Sequence, residues 1–155
     1  MIKLNFLIKD KSWSRRLKKI KFIVKKIIKQ KNQLKFNKNI DYYLNIVLMN
    51  DKEMKKLNLK YKKINKTTDV LTFITKSKNK HYVNDTFCDI FLSGETLKKD
   101  AKKNNINFYN HVIHLLVHSL LHISGYTHYK KDSFIKMKNK EIKILKHLGI
   151  SNPYN

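Results

Sequence analysis

YNHVIHLLVHSLLHISGYTH, residues 109–128, is apolar nearly all the way round a helical wheel and yet carries five of the chain's seven histidines. An all-round apolar helix belongs in the middle of a domain rather than on its surface. Gly125 is placed to end it, as the left-handed residue that follows a helix C-terminus. His118 and His122 are four residues apart, hence rotated by about 40° and separated by about 6 Å along the axis, so their imidazoles can share one ion. A third ligand from His114 or from the next helical turn would drift off that face. A chain that turns back at Gly125 can instead swing His128 onto the open side, giving three neutral nitrogens and a fourth position for water.

A lone histidine on an apolar helix is commonly a hydrogen-bonded core residue. Three at this spacing are different, because burying unpaired imidazoles costs about 1–3 kcal/mol each. His118, His122 and His128 are therefore the expected metal ligands, with one ion per chain. Imidazole ligation with an open position favours zinc. Such an ion lowers the pKa of a bound water toward about 7 and polarises carbonyl or phosphoryl oxygens, which makes hydrolysis the natural reaction. His111, His114 and His147 are expected to be structural, and His81 to sit exposed in a loop.

Around this helix the pattern alternates between periods of two and of 3.6. Ile2, Leu4 and Phe6 alternate as a strand over 2–8. Trp13, Leu17, Ile20, Val24, Ile27 and Ile28 fall at helical spacing, which predicts one amphipathic basic helix over about 12–31. YYLNIVLMN (42–50) reads as a central strand, and DKEMKKLNLKY (51–61) as a helix with acidic residues in its first turn. DVLTFIT (69–75) and FCDIFLS (87–93) read as strands joined by a polar loop, followed by a polar helix over about 94–104. A last helix, about 132–148, carries Phe134, Met137, Ile142 and Leu145 and closes at Gly149. The order predicts an α/β (α+β) fold: one domain over 1–155, with about four strands in a mixed sheet, about five helices, and the metal site on the buried helix.

Composition narrows the partners. Thirty-five Lys and Arg stand against 11 Asp and Glu, a formal net charge of +24, which points to a polyanion such as nucleic acid. Only Arg15 and Arg16 are arginines, so the composition supports diffuse attraction more than oriented phosphate recognition. Abundant Lys, Asn and Ile are also what drift in an AT-rich genome produces. Cys88 stands alone, which excludes an intrachain disulfide and suits a small buried hydrophobe. The start MIKLNFLIKD is broken by Lys3 and Lys9, unlike a signal peptide, and no stretch approaches the roughly 18 uncharged residues of a membrane span. A cytoplasmic protein without a membrane partner is expected.

The spacing H-x-x-x-H-x-x-G-x-x-H is also that of metzincin metalloproteases, whose base is a Glu directly after the first histidine. Ser119 stands at that position here, which removes the usual route to peptide hydrolysis. The block HSLLHISGYTH (118–128) resembles instead the signature of the YbeY family, close to H-G-x-L-H-L-x-G-Y-D-H. LNLKYK (57–62), TTDVLTF (67–73), CDIFLS (88–93) and EIKILKHLGISNPY (141–154) agree in order, so the resemblance covers roughly 40–154.

The resemblance implies a single-strand-specific, zinc-dependent endoribonuclease of bacterial ribosomal RNA maturation. Its roles there would be 3′-end processing of the small-subunit 16S rRNA and ribosome quality control, with ribosomal RNA and the ribosome or its proteins as partners. It also implies that His118, His122 and His128 hold the zinc. The family has an arginine facing the metal where this chain has Lys62, the expected catalytic position, which keeps the charge and loses the bidentate fork. Ser119 replaces a glycine, Thr127 an aspartate and Cys88 the glycine before Asp89. Without a carboxylate at 127, a natural hydrogen-bond partner for a ligating histidine is missing from the motif. The alternatives are a metzincin-like protease and a non-catalytic ribosome-binding protein in which zinc is structural and a fourth protein ligand, such as Cys88, closes the site.

Overall fold

The computed structural model describes residues 1–77 and 84–155, so His81 and most of the loop after the third strand lie outside the described residues. Four strands form one sheet: β1 (Ile2–Ile8), β2 (Asp41–Met49), β3 (Val70–Lys76) and β4 (Asp85–Ser93). Their order is β1-β2-β4-β3, with β1, β2 and β4 parallel and β3 antiparallel to β4. The helices are α1 (Leu17–Ile28), α2 (Lys31–Leu34), α3 (Asp51–Lys62), α4 (Gly94–Lys103), α5 (Phe108–Ile123) and α6 (Lys131–His147). The α+β architecture with a mixed four-stranded sheet is therefore as the sequence predicts. Among the described residues, no helix is long and apolar enough to cross a membrane.

Alternation along the strands makes two unequal faces. Leu44, Ile46 and Leu48 of β2 and Cys88, Ile90 and Leu92 of β4 join α1, α5 and α6 in the main core. Val47, Met49, Leu71 and Phe91 point the other way, against Met54 and Leu57 of α3. Beyond α3 that second face carries the stacked Tyr43 and Phe87 rings and a polar ladder across three parallel strands, in which Asn5 donates to Asn45 at 3.3 Å and Asn45 to Asp89 at 2.7 Å.

The single helix predicted over 12–31 is broken. A 3-10 turn, Lys11–Trp13, precedes α1, and α2 follows as a separate short piece. Asp10 accepts from the Ser12 N–H at 2.8 Å and closes the turn, which drops Trp13 into the core. Its indole donates to the Met49 carbonyl at 3.0 Å. The ring lies so near Gly94 that a Cβ there would stand 3.1 Å from it. Trp13 thus falls at helical spacing by coincidence and serves as a plug between β2 and α4.

The helix that carries the histidines is delimited by its own sequence. Asn107 caps it, accepting from the N–H groups of Tyr109 and Asn110. At the other end Gly125 has φ +100°. Its N–H donates to His122 O at 3.0 Å, and the Tyr126 N–H donates to Leu121 O at 3.0 Å. This pair of bonds is a Schellman motif, and it reverses the chain at once. α6 ends the same way, with the Ile150 N–H on Leu145 O and the Gly149 N–H on Lys146 O.

Candidate metal centre

α5 presents His118 and His122 on one face, and the reversal at Gly125 returns His128 to them. One ring nitrogen from each of the three lies within 4.8 Å of the others. Ring centroids are 4.7 Å apart for His118–His122, 4.7 Å for His122–His128 and 5.5 Å for His118–His128.

The hydrogen bonds at the back of the rings fix the protons at the front. His122 Nδ1 lies 3.0 Å from the Tyr126 carbonyl, which can only accept, so Nδ1 carries the proton. His118 Nδ1 lies 3.1 Å from Oε1 of Glu141. Burial pushes the Glu141 carboxyl up, but donors from His114, His118 and Tyr154 outweigh it and hold the group at about 2. Glu141 is thus an ionised acceptor, and His118 also carries its proton on Nδ1. The two Nε2 atoms lie 3.1 Å apart, and in the neutral rings these are the nitrogens left free to face each other. Two nitrogens on one tetrahedral zinc stand roughly 3.3 Å apart, so the donor set fits such an ion. Burial first, and then the neighbouring His118 and His128, hold His122 below its ordinary pKa and keep its lone pair available.

Glu141 is the residue that sequence reasoning missed. It is 0% exposed in α6 and receives His118, His114 at 3.5 Å and the Tyr154 hydroxyl. It supplies from another helix the carboxylate that Thr127 lacks. The buried stripe of α6 is Met137, Glu141, Ile144 and Leu145, with Phe134 half exposed. A glutamate at an apolar position of that stripe was the available signal.

Ser119 is 1% exposed, and its hydroxyl receives that of Thr72 in β3 at 2.9 Å. It docks α5 on the sheet. Cys88 is buried in the core, where burial and then Asp89 push its thiol up to about 12. The exposed His147 has Nδ1 2.7 Å from Lys143 O. Lys62 ends α3 on the other face of β3, its ammonium 5.8 Å from the Phe73 ring centroid. It and the histidines approach the same edge strand from opposite faces: Phe73 beneath Lys62, Thr72 beneath Ser119. Beside His128 the Tyr129 ring is 85% exposed, with centroids 5.6 Å apart.

The family model described as Endoribonuclease YbeY matches residues 7–149. An endoribonuclease YbeY from Ehrlichia chaffeensis is 38% identical over 99% of this chain and 97% of its own. One from a Wolbachia strain is 36% identical over 96% of each. The solution structure of TM1509 from Thermotoga maritima shares the fold, with a TM-score of 0.50 and 23% identity over 100% of this chain and 99% of its own. With the motif blocks, the three-histidine cluster and full-length relatives in agreement, the chain belongs to the endoribonuclease YbeY family.

Proposed function

We propose that residues 1–155 form one endoribonuclease domain that cuts single-stranded RNA with a zinc ion held by His118, His122 and His128, and that its substrate is ribosomal RNA in the cytoplasm. The observation that carries this reading is the pair of Nε2 atoms, 3.1 Å apart, with His128 closing the third side. When bound, the ion supplies Lewis-acid chemistry to a phosphate. Glu141 and the Tyr126 carbonyl hold the Nδ1 protons and so orient two ligand rings. Lys62 neutralises charge that builds on the phosphate. Tyr129 offers an exposed aromatic face on which a base can stack next to His128. The lysine-rich surface attracts the backbone diffusely.

Within ribosomal RNA maturation, the 3′ end of the 16S rRNA and defective ribosomes are the targets in keeping with the family, and a ribosomal partner would direct the cut. Cys88 in the core is no candidate fourth ligand, which supports an open position over a purely structural zinc. Ser119, standing where a peptidase of this spacing has its glutamate base, supports a nuclease over a peptidase.

The test is cleavage of a labelled single-stranded RNA by intact protein, by chelator-stripped protein before and after zinc is restored, and by His122→Ala. Cleavage that vanishes on stripping and in the variant, and returns with zinc, is the expected result. Undiminished cleavage by stripped protein or by His122→Ala would overturn the assignment.

A further inference from the structure

A second group of ligating side chains lies two turns back along the same helix. Asp69 stands at the entrance to β3, Asp100 on α4 and His111 on α5, and one ligating atom from each lies within 4.8 Å of the others. His111 is 9% exposed, and both its ring nitrogens are buried without a hydrogen-bond partner. That is unusual, since buried polar atoms are normally paired and an orphan costs about 1–3 kcal/mol. Oδ2 of Asp69 lies 4.0 Å from Nε2 of His111, which is too far for a hydrogen bond. The other oxygen of Asp69 is already engaged by the Val70 N–H at 2.7 Å and the Thr68 hydroxyl at 3.2 Å. Oδ2 is the atom left facing the imidazole. Burial keeps His111 below its ordinary pKa in spite of Asp69 and Asp100, so the ring is a neutral donor with a lone pair.

Charge supports the same conclusion. The chain has 11 acidic residues against 35 basic ones, and two of the 11 meet at one imidazole. A cleft of about 460 Å³ lined by Asp51, Thr67, Thr68, Asp69, Thr96, Lys99 and Asp100 opens the two carboxylates to solvent, while His111 lines a neighbouring cleft.

We infer that Asp69, Asp100 and His111 form a second divalent-cation site, separate from the three-histidine cluster and suited to an ion of the manganese class. Two carboxylate oxygens and one imidazole nitrogen are harder donors than three imidazoles, and water completes the coordination of such an ion. Ligands at about 2.2 Å from one ion stand at most roughly 4.4 Å apart, and the 4.0 Å between His111 Nε2 and Asp69 Oδ2 falls inside that limit. The seven-position step from His111 to His118 puts the two sites about 10 Å apart along α5. That exceeds the roughly 4 Å of a two-metal catalytic pair, so this ion does not share the reacting phosphate. It pins together the start of β3, α4 and α5, the elements on which the histidine cluster rests. The site stands independently of the nuclease assignment.

The test is a Mn2+ binding isotherm followed by electron paramagnetic resonance of the free ion, on the intact protein and on Asp100→Asn, His111→Gln and His128→Ala. Loss of one Mn2+ per chain in Asp100→Asn, with that ion retained in His128→Ala, is expected. His111→Gln should behave as Asp100→Asn does; if the core does not tolerate it, the half-buried Asp100→Asn carries the comparison alone. An intact protein that binds no Mn2+, an Asp100→Asn isotherm that coincides with it, or loss of the same ion in His128→Ala overturns the inference. Failure of zinc-dependent cleavage would leave these isotherms untouched, so the two readings fail separately.

Discussion

At the scale of single residues, Glu141 orients the histidine cluster by accepting from His118. Replacing the carboxylate by an amide keeps its shape but weakens the acceptor behind His118. Glu141→Gln is therefore expected to bind zinc about 10- to 100-fold more weakly, read by competition with a chromophoric chelator. The same group makes stability pH-dependent. Its folded pKa, about 2, lies below its ordinary 4.5. Its contribution is thus fully present above about pH 4.5 and is lost as the pH falls toward 2. Urea unfolding of the metal-free protein between pH 5 and pH 2 should lose stability more steeply for the intact chain than for Glu141→Gln. Lys62→Ala should lower RNA cleavage while zinc content stays unchanged; loss of zinc from that variant would contradict the role given to Lys62. The clustering of His118, His122 and His128 was legible from spacing alone, because i, i+4 geometry and a glycine turn are local. Glu141 was not, because only the packing of α6 on α5 brings it to His118 from a position 23 residues away in the chain.

Among the elements, the turn after α5 matters more than its length suggests. Gly125 at φ +100° permits both Schellman bonds, and a side chain there is strained even though open space surrounds it. Gly125→Ala should cost about 1 kcal/mol or more in chemical denaturation. It should also weaken zinc binding, since it shifts the segment that delivers His128. The Gly125 and Gly149 ends were readable because left-handed positions have a strong residue preference. The break between the 3-10 turn and α1 was not, because its cause is a tertiary hydrogen bond from Trp13 to Met49, and helical periodicity carries no trace of it. β3 was recognised as a strand, but its antiparallel place at the sheet edge depends on pairings distant in sequence.

For the molecule as a whole, a net charge of +24 makes RNA affinity a function of ionic strength. Binding of a single-stranded oligonucleotide, followed by fluorescence anisotropy, should weaken log-linearly with salt, with a slope of about −0.7 per phosphate contact. A slope near zero would show that the lysines are spectators. The strand order has a consequence of a different kind, in the time at which the sheet can be completed. β1 and β2 are neighbours and can pair once residue 49 has been made, but among the described residues β3 pairs only with β4, which comes after it. At ordinary synthesis rates β3 waits on the order of one second for its partner. β4 then inserts between two strands that already exist, and only over that finished surface can α5 fold down with its histidines. The newborn chain thus holds an unpaired, β-branched segment in its middle, and its susceptibility to protease or chaperone during translation should fall abruptly as Ser93 clears the exit tunnel.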